Sequence, residues 1–279
     1  MVQSLSEIKS LLDVHGLSPK KKFGQNFLHD HNHLERIIDA AEIGTESRGG
    51  GVILEVGPGT GALTEFLLET GANVVAVEID KDMRPILEER LGKYGERFRL
   101  YVGSVLASKH VLAPEVSELI AGRGFKLIAN LPYNVASPLL VNLAQQMPNM
   151  QAAVVMVQKE VADRLAAGPG SKDYGPLGIV IQALYEARHV STLPPSCFWP
   201  APKIASAVVQ LTRREKPLTD DLERFSDLVH KLFQKRRKQI GSVLGRDLAY
   251  PEGISPEVRP EQLSLVQLEA LSKMVAEVT

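Results

Sequence analysis

The sequence predicts an α/β fold: a doubly wound parallel sheet followed by a small all-helical domain. Three observations carry this expectation. Short apolar runs rich in Val alternate with segments of helical period from residue 52 to about residue 185. A glycine cluster, GPGTG, lies directly between the first such run and the helix that follows it. After residues 213–217 the strand-like runs stop, and every remaining pattern is helical.

The elements follow in order. Ser4 and Glu7 have capping-box spacing, and Ile8, Leu11 and Leu12 recur at helical period, so a short first helix ends near Gly16. The basic segment KKKFGQNFLHDHNH (20–33) reads as a loop, with a helix after it over 34–41. Residues 52–56 form the first strand, and a helix runs from Gly61 or Ala62 to about Thr70. Further strands are expected at 72–78, 98–102, 125–129 and 153–157, with helices at 83–91, 138–146 and 160–167. Residues 178–185 and 207–211 are the last strand candidates, separated by the proline-rich LPPSCFWPAPK. Helices are expected at 222–233, 236–244 and 265–278. The domain boundary falls near residue 215. It separates a Rossmann-like domain (1–215, including the N-terminal helix and loop of 1–50) from a helical domain (216–279).

Of the 279 residues, 44% are hydrophobic and 23% charged, which excludes a disordered chain, a collagen and a coiled-coil rod. No apolar run approaches the ~20 residues that span a bilayer. The N-terminus lacks an apolar core and carries Glu7 and Asp13, unlike a secretory signal. Cys197 is the only cysteine, so no internal disulfide forms, and a cytoplasmic setting is expected. The net charge of −1 means that any nucleic acid must be met by a local basic patch.

Gly57, Gly59 and Gly61 follow a strand and precede a helix, where glycine permits a sharp turn and close approach of a ligand to the main chain. The spacing is G-x-G-x-G, which departs from the dinucleotide pattern. Glu78 ends the next strand about 20 residues on, where a carboxylate accepts bonds from both ribose hydroxyls of an adenosine. Glu55, just before the loop, is a second acid. It would repel a pyrophosphate but suit the ammonium and sulfonium of S-adenosylmethionine. The pair therefore favours a methyl donor over NAD.

The segment Asn130-Leu131-Pro132-Tyr133 follows the fourth strand. An exocyclic amine such as adenine N6 is a poor nucleophile because its lone pair is delocalised into the ring. An amide oxygen of Asn130 and the carbonyl of Leu131 can both accept its N–H groups, favouring a pyramidal nitrogen with a localised lone pair. Pro132 stiffens the turn, and Tyr133 offers a ring for stacking a base, worth roughly 1–3 kcal/mol.

With these residues the chain resembles the bacterial small-subunit rRNA adenine dimethyltransferases. They belong to a broader group that includes erythromycin-resistance rRNA methyltransferases and mitochondrial transcription factor B. The resemblance runs from Lys20 to the C-terminal helices through KKKFGQNFL, EVGPGTGALT, VEID, NLPYN, VQKEVADRLAAGPGSKDYG and PPSCFWPAPKIASAVV. It implies a Rossmann-like class I methyltransferase fold. It also implies transfer of four methyl groups from S-adenosylmethionine to N6 of two adjacent adenines in the 3′-terminal hairpin loop of 16S rRNA. S-adenosylhomocysteine would be the product, and an immature small ribosomal subunit the partner. A monomer without metal or membrane contact is expected. By motif position, Asn26, Leu28, Gly57, Gly59, Glu78 and Asn130 would contact the cofactor. The family usually has an Asp after the third strand to bind the cofactor's adenine amine; here Ser104 stands there, shorter and uncharged. Phe198 falls where the family places a second aromatic, so Tyr133 and Phe198 would sandwich a flipped adenine.

Other features have plainer readings. His29, His31 and His33 alternate with Asp30 and Asn32, but this spacing does not converge three ligands on a helix face, so no metal site is expected. Cys197 is expected to be a packed thiol. Two basic runs, Lys20, Lys21 and Lys22 and then Lys231, Lys235, Arg236, Arg237 and Lys238, flank the methyl-transfer motifs and suit phosphate contacts that position an RNA. Two alternatives stand beside the small-subunit reading. One is a large-subunit adenine methyltransferase of the macrolide-resistance type; the other is a non-catalytic rRNA-binding assembly factor. GQNFL and the helical tail favour the small subunit, and the intact NLPY favours catalysis.

Overall fold

The computed structural model describes residues 3–43, 51–120 and 122–278. Part of the expected N-terminal loop, 44–50, lies outside the described residues. The chain divides into two compact units: Met1–Ala162 with Arg188–Thr212, and Asp163–Ala187 with Arg213–Thr279. The second unit thus joins Arg213–Thr279 to Asp163–Ala187, a segment that the sequence pattern assigns to the sheet domain.

The first unit is built on strands β2 (Val52–Val56), β3 (Asn73–Glu78), β4 (Phe98–Val102), β7 (Phe125–Asn130) and β8 (Met150–Gln158), all parallel to one another. With β9 (Tyr185–Leu193) and β11 (Ser206–Arg213) the order is β4-β3-β2-β7-β8-β11-β9. The order reverses at β2, between β3 and β7, which is where open α/β sheets bind ligands at their strand C-termini. The expected parallel sheet is in fact mixed, because β11 runs antiparallel to β8. All five residues of β2 are buried, as both faces of a parallel sheet require.

Helices α3 (Ala62–Glu69), α4 (Arg84–Leu91), α5 (Pro114–Ile120) and α6 (Ala136–Gln146) join the parallel strands. The N-terminal helix α1 (Leu5–Val14) has the expected capping box: Ser4 and Glu7 satisfy each other's backbone N–H groups. Between α1 and α2 (His31–Ala41), the expected loop contains a two-residue strand, β1 (Phe27–Leu28). It pairs antiparallel with β10 (Phe198–Trp199). Helix α2 starts three residues earlier than its periodicity suggests, because the Asp30 carboxylate caps it by accepting the His33 N–H at 3.2 Å. A short hairpin of β5 (Leu106–Ser108) and β6 (Val111–Leu112), unseen in the sequence pattern, follows β4.

In the second unit, residues 178–185 are expected as a strand, but 178–184 form most of helix α8 (Pro176–Leu184), which follows α7 (Lys159–Ala166), and Tyr185 opens β9. A short run that is apolar apart from Gln182 has no clear period to distinguish strand from buried helix. Pro176 in the first turn favours the helix. Gly178 also lets α8 approach closely, since a Cβ there would overlap the Arg164 carbonyl oxygen. Tyr174 and Phe225 pack with Leu228, Leu232, Leu268 and Leu271 of helices α9 (Leu222–Phe233) and α11 (Leu265–Val278). The expected helix over 236–244 shrinks to α10 (Gly241–Leu244), because Ile240 and Gly241 donate their N–H groups to Val258 and Pro256.

Candidate active site

Strand β2 runs into a loop in which Gly57, Gly59 and Gly61 have φ of +75°, +56° and +81°. Side chains rarely adopt this region, and all three glycines are also crowded, Gly61 by Leu87 and Leu91 at 3.1 Å. A Cβ at Gly59 would lie 3.0 Å from the Phe27 ring, and one at Gly57 would lie 3.3 Å from the Pro132 ring. The loop is thus held between the GQNFL and NLPY segments. Glu78, at the end of β3, closes it: its carboxylate accepts N–H bonds from Gly59 at 3.3 Å and from Asp80 at 2.8 Å.

Glu55 is 1% exposed, and its Oε2 has no hydrogen-bond partner. Burial pushes its carboxyl up to about 8, aided by the nearby Glu78 charge. Glu78 is also raised by burial, with its two N–H bonds pulling the other way. Two buried acids, one of them with an orphaned oxygen, fit a cationic ligand. The residues present therefore suit S-adenosylmethionine, whose ammonium and sulfonium would favour ionised Glu55.

A cavity of about 260 Å³ joins these segments, lined by residues 22–28, 55–60, 77–79, 103–105 and 130–135 among others. All the cofactor and NLPY residues expected from sequence line it: Asn26, Leu28, Glu55, Gly57, Gly59, Glu78, Ser104, Asn130, Leu131, Pro132 and Tyr133. Asn130 ends β7 and donates its Nδ2–H to the Asn26 carbonyl at 3.3 Å. Leu131 N–H is held by the Met156 carbonyl at 3.0 Å, and Pro132 O accepts from Val135 and Ala136 as α6 begins. The Tyr133 hydroxyl lies 2.7 Å from Ser206 Oγ, a contact that sequence spacing did not reveal. Ser104 closes a turn on itself, donating to Leu106 O at 2.6 Å and accepting from Leu106 N at 3.2 Å.

Other expected residues are placed differently. Phe198 is 3% exposed and packs in the core with Leu28 and Ile37, so its ring is not exposed opposite Tyr133 in this structure. Lys20 forms ion pairs with Asp80, at 2.7 Å, and with Asp82, which raise its pKa. Lys21 and Lys22 remain exposed. In the second unit, Arg236 donates to the Lys172 and Ser171 carbonyls, whereas Lys231, Lys235, Arg237 and Lys238 are exposed.

The histidines of the 29–33 segment do not converge, but Asp30, His33 and Cys197 each place a ligand-type atom within 4.8 Å of the others. Asp30 faces the Cys197 thiol at 3.8 Å and caps His33, and burial with the Asp30 charge raises the thiol pKa. The grouping brings Cys197 to two residues at least 164 positions earlier in the chain, so local spacing does not show it.

Comparison with known proteins places the chain in a family. Residues 16–274 match the family described as ribosomal RNA adenine dimethylase. The chain is 39% identical to the ribosomal RNA small subunit methyltransferase A of Bacillus cereus (strain AH187), covering 95% of this chain and 94% of that protein. It is equally similar to the protein of that name from Bacillus anthracis (strain CDC 684 / NRRL 3495). Among solved structures it resembles a dimethyladenosine transferase from Plasmodium falciparum, with a TM-score of 0.70, 25% identity, and 87% of this chain and 95% of that one covered. It also resembles the 23S rRNA methyltransferase ErmE, with a TM-score of 0.69, 25% identity, and coverage of 90% and 100%.

Proposed function

Because this chain belongs to the ribosomal RNA adenine dimethylase family, we propose that it dimethylates N6 of two adjacent adenines in the 3′-terminal hairpin loop of 16S rRNA. Its substrate is an immature small subunit in the cytoplasm, and it acts as a monomer. Among the described residues, no helix is long and apolar enough to cross a membrane. The observation that carries the reading is the Asn130 amide. With its N–H engaged by Asn26, its oxygen is the atom left to accept a substrate amine.

Asn26, Leu28, Gly57, Gly59, Glu78 and Ser104 hold the donor, and Glu55 faces its positive charge. When bound, S-adenosylmethionine supplies a methyl group already activated for displacement from sulfur. Asn130 Oδ1 and the Leu131 carbonyl accept the two N6–H bonds, draw the nitrogen lone pair out of the ring and aim it. Pro132 keeps both acceptors in place, and its contact with Gly57 ties them to the donor loop. The base stacks on Tyr133, which lines the cavity. The N6 proton would leave to water, so orientation of the amine by these residues supplies most of the catalysis. Lys21, Lys22, Lys235, Arg237 and Lys238 contact phosphates and position the RNA without reading it.

The test is methyl incorporation from labelled donor into small and large subunits isolated from cells that lack this activity. Label confined to N6 of adjacent adenines in the small-subunit hairpin is expected. Label on the large subunit would favour the activity that the name of ErmE describes, and no label on either would favour an assembly factor.

A further inference from the structure

We infer that Ser206 is a positioning residue for the target base, acting through the phenol of Tyr133; this rests on the adenine-methylation reading above. The Tyr133 hydroxyl and Ser206 Oγ are 2.7 Å apart although the residues are 73 positions apart in sequence. Ser206 is fully buried, and Ala207, Val208 and Val209 after it are buried as well. A hydroxyl in such a place costs stability unless it is hydrogen-bonded. Among the described residues, the side-chain bond found for Ser206 is the one to Tyr133.

Ser206 is also a rigid support. It opens β11 and pairs with Gln158 of β8. The residue before it is fixed by the Lys159 N–H donating to Ala205 O at 3.0 Å. The same strand β8 holds the other end of the tetrapeptide, through Met156 O to Leu131 N–H at 3.0 Å. The NLPY segment is therefore anchored at two points on one sheet region: the main chain at Leu131 and the ring at Tyr133. The first anchor sets where the amine acceptors sit. The second sets the plane of the stacking ring, which half-buried Tyr133 would otherwise share among rotamers. A base held against a tilted ring presents N6 off the line of attack, and an error of this kind falls on the chemical step.

The experiment compares Ser206→Ala, Tyr133→Phe and the double variant, with small subunits from cells that lack this activity and labelled donor. Each single variant is expected to lower kcat by about tenfold, the order expected for losing one hydrogen bond that orients a reacting group. The KM for subunits and the donor affinity measured by calorimetry should stay near wild type. The double variant should lose no more than either single one, and Ser206→Thr should retain most of the activity. Near-normal kcat in Ser206→Ala, or additive losses in the double variant, would overturn the inference. If Ser206→Ala does not fold, Tyr133→Phe alone decides, because an unchanged kcat there is incompatible with a positioning bond. Wild-type protein that fails to label small subunits would overturn the functional reading instead.

Discussion

Asn130 donates its side-chain N–H to the backbone carbonyl of Asn26 across 3.3 Å. This bond joins the end of a central strand to the N-terminal GQNFL segment, 104 residues earlier in the chain. It also fixes which way the amide faces. Glycine-loop packing reinforces the junction, since Phe27 lies against Gly59 and Pro132 against Gly57. Glycine loop, N-terminal segment and NLPY turn thus form one packed unit, so in the proposed reaction geometry at the amine would be coupled to geometry at the donor.

Glu55 gives the ligand-free protein a distinctive pH dependence. Its carboxyl sits at about 8 when folded, against about 4.5 when exposed. The folded state therefore binds the extra proton more tightly. The associated stability is fully present below about 4.5 and is lost as pH rises towards 8, by at most about 1.4 kcal/mol per pH unit. Thermal melts of Glu55→Gln should show a growing advantage over wild type between pH 5 and 8. Donor affinity of the wild type should rise across the same interval, because a cationic ligand favours the ionised carboxylate. An identical melting profile in both proteins would refute the assignment.

Lys20 and Lys22 should separate by salt dependence. Lys20 is held by Asp80 and Asp82, and Asp80 is also bound by Gln25 at 2.8 Å. Lys20→Ala should loosen the 20–25 loop and weaken donor binding, while leaving the salt slope of RNA binding nearly unchanged. Lys22→Ala should instead reduce that slope by about 1. Titrating hairpin RNA over a range of salt concentrations measures both, and equal slope changes would show that Lys20 also meets phosphate.

Ser104 lines the cavity, but its hydroxyl is closed onto Leu106. A carboxylate at this position would lose the bond to Leu106 O, but with one oxygen accepting from Leu106 N its other could accept a bond from an adenine amine. Ser104→Asp should bind S-adenosylmethionine about tenfold more tightly by calorimetry, as a charged acceptor roughly doubles the strength of such a bond. Weaker binding in that variant would mean that the adenine lies elsewhere.

Much of this site was legible in the sequence because its parts are local. The glycine turn, Glu55, Glu78 and NLPY each sit at a strand end whose hydrophobic run marks it, and all of them line one cavity. What could not be read was contact between distant segments. The β1–β10 pairing, the Lys20 ion pairs, the Tyr133–Ser206 bond and the Asp30–His33–Cys197 grouping depend on which loops the sheet order brings together. Residues 178–184 are misread from sequence for a different reason: apart from Gln182 the run is apolar and lacks a clear period, and Pro176 in the first turn, with burial among other helices, makes it a helix.

The central claim is that the Asn130 amide orients and activates the amine. Single-turnover methyl transfer by Asn130→Ala, with donor affinity measured on the same preparation, tests it most directly. Transfer should fall by roughly 10²-fold or more, as when one preorganised hydrogen-bonding group is removed from an active site, while donor binding weakens far less. Transfer at a near wild-type rate with donor bound would contradict the account.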